Sequence, residues 1–429
     1  GAGTIDLTDA ALTAGDTNPQ TFSGVFNGAN DFTKVGSGTL TLSGDNSTAS
    51  YTGRIIIDAG TISISSDSNL GSPNTPDADR LTLQGGTLLI TETITLNTNR
   101  GITLSTDGGT INVADTKTAT YDGAITGSTA FTKDGNGTLD LGGTNTYTGA
   151  TNIDDGELNV TGTLSDSTAV TVASGATYDS DTTDTIGSIA GAGNIEINTA
   201  TTLTVGGDDT DTEFSGVISE DGNLTKAGSG TLTLSGTNTN TGTTTISAGT
   251  LTLDQASNTT GTVIANTAAV TVNGGILNLA DTTETIGALT LTSGSITGTN
   301  KTLTGSSYTL NPGEDVSVSV APILAGSVNL TKSAAGTAIL SAANTYTGTT
   351  TISEGTLEVD GTLAQTAVTV SSGATYDVDA TDTVLSIAGA GTIDLTDAAL
   401  TAGDGNDLEF SGVFNGTNNF TKVGSGTLT

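Results

Sequence analysis

One short pattern of apolar and polar positions recurs along the chain. A Gly-Thr-aliphatic-x-aliphatic phrase places its threonine at Thr39, Thr61, Thr87, Thr110 and Thr138, in sequence steps of 22, 26, 23 and 28. Related phrases, GELNV, GATYD and GNIEI, begin at Gly156, Gly175 and Gly193, in steps of 19 and 18. Inside each phrase, apolar residues alternate with threonine or another polar residue at period two, the pattern of a strand with one buried face. Leu40 and Leu42 are predicted to point inward and Thr39 and Thr41 outward, with Leu139, Leu141, Leu232 and Leu234 inward in equivalent strands. Threonine suits an exposed strand face, and the Gly, Asn and Asp between phrases suit turns with positive φ. No window shows the three-and-four apolar spacing with caps that a helix requires.

A longer repeat encloses the short one. A phrase ending in Thr-Lys recurs at Lys34, Lys133, Lys226, Lys332 and Lys422, and GAGTIDLTDAALTAGD, which opens the chain at Gly1, returns at Gly389. The implied units are residues 1–34 (partial), 35–133, 134–226, 227–332, 333–422 and 423–429 (partial), within one continuous domain spanning 1–429. A strand recurring at steps between 18 and 28 predicts an all-β chain built as a parallel β-solenoid of about 20 coils, neighbouring coils pairing about 4.8 Å apart. The longer period alone also fits tandem immunoglobulin-like β-sandwiches, which would want large aromatic anchors in each unit.

Composition narrows the choice. The 429 residues include 60 Gly and 3% aromatics, with no Cys, Met, Trp or His. That supports a narrow, repeated core over a single thick one. Forty-five acidic against ten basic residues give a formal charge of −35, which argues against nucleic acid or an anionic membrane as partner. No apolar run is long enough to span a bilayer.

The phrase GSGTLTLSGTNTNTGTTTISAGTLTL at 228–253 closely resembles the autotransporter-associated β-strand repeat, also called the passenger-associated transport repeat. Further copies begin at Gly36, Gly135 and Ala335, and a truncated one at Gly424. The resemblance implies a right-handed β-helical passenger of a bacterial surface protein, extracellular or at the cell surface.

With no His or Cys, Ser-His-Asp or Cys-His catalysis and zinc or iron sites are excluded. Carboxylates remain. Asp179, Asp181 and Asp184 are the densest acids, and they recur as Asp377, Asp379 and Asp382; duplication within a strand lattice favours turn and surface roles over polysaccharide cleavage. GGDDTDTEF at 206–214 offers Asp208, Asp209, Asp211 and Glu213 as hard oxygen donors for calcium, against the blander reading of an acidic turn; no cofactor is required. Phe22, Phe26 and Phe32, repeated as Phe410, Phe414 and Phe420, are expected to fill a wide part of the coil, and each Thr-Lys lysine to serve as a surface charge partner for nearby acids. The segment 66–80, with Pro73 and Pro76, reads as a surface loop.

These features favour a non-enzymatic extracellular filament, stalk or adhesin shaft. The alternative is an exported passenger that binds or cleaves carbohydrate. Expected partners are further copies of the chain, end to end or side by side, and a cell-surface or matrix polysaccharide. Because the chain opens and closes on the same phrase, the sequence predicts one stretch of a longer array, roughly 100 Å of rod at about 4.8 Å per coil.

Overall fold

The computed structural model of the chain describes every residue except 49–50, 72, 255–261, 282 and 408. Period-two alternation produces short strands such as Thr87–Ile90, Glu157–Val160 and Thr356–Val359, in each of which the second and fourth residues are buried. The strand pairings are parallel, and turn geometry rather than hairpins joins the strands, as expected where each strand stacks on its counterpart one coil away. Among the described residues the one helical element is a 3-10 turn at Asp67–Leu70. The fold is a parallel β-solenoid of about 20 turns, and the sandwich alternative falls with it.

Two compact units are distinguished, Gly1–Glu220 and Asp221–Thr429. In the first, a coil visits three faces in turn. Asp77–Leu83, Thr87–Ile90 and Ile94–Leu96 make one coil, and Arg100–Leu104, Gly109–Val113 and Thr118–Tyr121 make the next. Ile102 stacks on Leu81, Ile111 on Leu88 and Ala119 on Ile94, so aliphatic side chains pile on aliphatic ones down the interior. Ile62, Leu88 and Ile111 are fully buried. Leu42, Leu139, Leu141, Leu232 and Leu234 point inward as predicted. Leu40 is only half-buried, because its partner one coil below is Gln20 and the two border a cavity of about 210 Å³.

Residue pairing shows how unequal the coils are. One coil closes between Thr177 and Asn194, whereas another runs all the way from Thr61 to Thr87. The sequence step from Thr110 to Thr138 is not a coil. Thr110 pairs with Thr132, and Thr138 with Thr118. The phrase has moved to the next face: Phe32–Lys34 stacks with Ile55–Ile57, whereas Phe131–Asp134 stacks between Gly109–Val113 and Thr151–Ile153, on a different side of the coil.

In the second unit two copies of the phrase share a face. The outward residues at one position form an unbroken column, Thr225, Thr245, Thr271, Thr290, Thr309, Thr331, Thr351 and Thr369, each paired with the next. On another face of the same unit the outward column reads Ile339, Glu358, Asp377, Asp394 and Asn415.

Candidate functional site

In four of the five Thr-Lys phrases the Phe or Leu of the strand points inward, and the lysine two residues later shares that direction; in the fifth, Lys422 is exposed. Lys34, Lys133, Lys226 and Lys332 are buried, at 0 to 1% exposure. The chain then turns through a left-handed residue, Gly36, Gly135, Gly228 or Ala334, with φ of 72°, 75°, 63° and 66°. This turns successive carbonyls back toward the ammonium. Lys133 Nζ donates to the carbonyls of Asp134 (3.1 Å), Gly135 (2.7 Å) and, one coil on, Asp155 (2.9 Å). Lys34 does the same with Val35, Gly36 and Ala59, and Lys332 with Ser333, Ala334 and Glu354. A second left-handed glycine roofs each cage: a Cβ on Gly60 would lie 2.8 Å from Lys34 Nζ, and one on Gly156 2.4 Å from the Gly135 carbonyl oxygen. Burial pushes Lys133 and Lys332 down to about 8, opposed by nearby carboxylates. The surface ion pairs expected of these lysines are thus corrected to internal carbonyl cages.

Other polar groups with chemical potential are also spent between coils. In three copies the Asn that precedes the Tyr or Ser of the turn is buried and bridges neighbouring coils: Asn145 Oδ1 accepts from the Ile125 amide (3.0 Å) while Nδ2 donates to the Gly143 and Thr163 carbonyls (3.1 Å each). Asn46 and Asn344 repeat this pattern. The Tyr147 hydroxyl meets Thr151 (2.6 Å), which meets Thr168 (3.0 Å), and Tyr346, Thr350 and Thr366 form the same chain. The segment 66–80 is less free than a surface loop. The buried Arg100 guanidinium pairs with Asp67 (2.9 Å) and donates to the Leu70 and Gly71 carbonyls, and Arg80 reaches back to the Tyr51 carbonyl (2.6 Å).

The duplicated acids separate by depth. Asp184 and Asp382 are buried and cap turns, accepting from the Leu164 and Thr185 amides and from the Leu363 and Thr383 amides, and Tyr376 donates to Asp382 (3.0 Å). Asp179 and Asp181 lie outside and share one donor, Asn198 Nδ2, at 2.7 and 2.5 Å. Partial burial, with Asp181, Glu196 and Glu157 around it, pushes Asp179 up to about 7; burial with Asp379, Asp394 and Asp397 nearby pushes Asp377 up to about 6.

Of the calcium candidates, Asp208 is half-buried, taking hydrogen bonds from Ser188 Oγ (2.6 Å) and from the amide and hydroxyl of Thr210, which makes it the hinge of a turn. Asp209, with φ of 57°, Asp211 and Glu213 are exposed. Among the described residues, the acidic group whose carboxylate oxygens lie within 4.8 Å of one another is instead Glu358, Asp360 and Asp379. Phe26 and Phe32 are buried and fill the interior, the Phe26 ring 5.0 Å from Phe32 and 5.5 Å from Tyr51, whereas Phe414 of the second copy is 40% exposed, which corrects the expectation for that ring.

The cages, the bridging asparagines and the glycine roofs all fall inside one recurring segment. Comparison with known families matches that segment to the Passenger-associated-transport-repeat at residues 32–64, 131–160, 224–253 and 330–359. Four segments of the chain are thus similar to that repeat. Over 265 residues it is also 35% identical to the adhesin BmaC autotransporter of Brucella suis biovar 1 (strain 1330). The alignment takes in 58% of this chain and 8% of that much longer protein. No solved structure matches the chain. Among the described residues no helix is long and apolar enough to cross a membrane.

Proposed function

We infer that the chain is a non-catalytic stretch of the shaft of an adhesin-like passenger at the cell surface, and that it continues into a longer filamentous array. One observation carries this reading. In the transport repeats the buried polar side chains, the ammonium groups of Lys34, Lys133 and Lys332, the amides of Asn46, Asn145 and Asn344 and the hydroxyls that follow Tyr147 and Tyr346, are paired with the neighbouring coil, while the carboxylates lie along the outward faces. Side chains repeated in this way hold one coil on the next and do not gather at a single centre. Similarity to an adhesin autotransporter supports the surface location. Electron microscopy of the chain, and of a variant lacking residues 131–220, tests it: uniform rods that shorten on deletion are expected, and short capped particles of unchanged outline would overturn both shaft and filament.

A further inference from the structure

The threonine column of the second unit stands out among the outward-facing positions. Its eight threonines are half-buried or exposed, and among the described residues none of their hydroxyls has a hydrogen-bond partner within the protein. The outward positions two residues before and two after each of them are Ala, Ser, Thr or Asn in every coil, from Asn223 and Ala227 to Ala367 and Ser371. In a chain of formal charge −35, this is a stripe three positions wide and eight coils long without a charged side chain. A neighbouring face of the same unit carries Glu358, Asp377 and Asp394 in consecutive coils.

We propose that this stripe is a lateral docking face for the same stripe on a second copy of the chain. Electrostatics restricts the approach: two polyacids repel wherever carboxylates face each other, and the stripe is where they do not. Spacing selects the partner. Hydroxyls repeating at the inter-coil distance meet an identical row in register over the whole length, whereas a polymer of different repeat drifts out of register within a few coils. Size sets the strength. Seven inter-coil steps of about 4.8 Å and a width of about 13 Å give roughly 900 Å² when two faces close, near the lower limit for specific association. The contact is therefore weak and concentration-dependent, and it strengthens when many stripes are held side by side on one surface. A two-fold axis places the coils of Thr290 and Thr309 at its centre.

Sedimentation velocity on the whole chain across a concentration series in about 0.15 M salt tests the proposal, with charges at the stripe still felt over the screening length of about 8 Å. Reversible dimerisation is expected, weakened at least about tenfold by Thr290→Glu/Thr309→Glu and unchanged by Thr356→Glu on another outward column. Because the chain has no cysteine, Thr309→Cys gives a second readout independent of the charged pair. A short thiol crosslinker should yield covalent dimer with Thr309→Cys and not with Thr356→Cys. A monomer at all concentrations, a dimer indifferent to the charged pair, or a crosslink that does not distinguish the two cysteines would overturn the proposal. So would retention of a monomeric chain on an insoluble neutral polysaccharide that the charged pair abolishes, which would assign the stripe to glycan.

Discussion

A lysine sealed inside a β-solenoid is stable only if its three protons are all accepted. The carbonyls of Asp134, Gly135 and Asp155 do this for Lys133, and removing the donor leaves them buried without one. Lys133→Met, which keeps the packing volume, is expected to lower stability by about 2 to 4 kcal/mol in urea unfolding. Gly156→Ala should cost a similar or larger amount, about 2 to 4 kcal/mol, because it combines a positive-φ strain with a Cβ driven into the Gly135 carbonyl. An equal melt for either variant would mean that the cage does not hold the coils. In the leucine positions, Leu232→Asp buries an unpaired carboxylate and should cost several kcal/mol, about 3 or more; parent-like melting would mean that the inward register is wrong. The leucines are legible in the sequence. The lysines read wrongly as surface groups, although the signal is present: Lys34 stands two residues from Phe32 on the same strand, in phase with the buried face. Residue type outweighs period in that reading, since a free ammonium is expected in water.

A strand in this fold is half of a ladder, and ladders multiply whatever side chain they carry. Asp179 lies between Asn159 and Glu196, and Asp377 between Glu358 and Asp394. Partial burial and neighbouring carboxylates make both aspartates hold protons more tightly folded than unfolded. Folding is then favoured by protonation: the benefit is present at low pH and is lost as pH rises from near 4 through about 6 for Asp377 and about 7 for Asp179. The melting temperature should therefore rise as pH falls from 7.5 toward 5, roughly the window of these two groups, and the slope should flatten in Asp179→Asn/Asp377→Asn. A slope unchanged by that pair would place the titration elsewhere. At this scale the sequence shows that strands exist and which face of each is buried, because period two is a local property. It does not show which side of the coil a phrase occupies. That depends on corner lengths, and where one coil closes from Thr177 to Asn194 and another from Thr61 to Thr87, a few extra residues move a whole repeat to the next face. Phe32–Lys34 and Phe131–Asp134 differ in this way. The bridging asparagines are likewise hidden, since an Asn in a glycine-rich turn reads the same whether its amide meets water or the next coil.

Across the molecule, the sealed lysines bear on how the protein survives digestion. An enzyme that cuts after Lys or Arg has ten such residues to choose from. Lys34, Lys133, Lys226, Lys332, Arg80 and Arg100 are buried, and cutting beside them requires several coils to open together. Arg54, Lys117, Lys301 and Lys422 remain partly or fully exposed. Trypsin acting on the native chain should therefore yield a few large fragments bounded at those four positions, and the full peptide set only after thermal unfolding. Early cleavage at Lys133 would contradict its burial. The same lysine that fastens each repeat to the next coil thus withholds its own peptide bond from attack, so a solenoid poor in basic residues becomes poorer still in accessible cleavage sites once it folds.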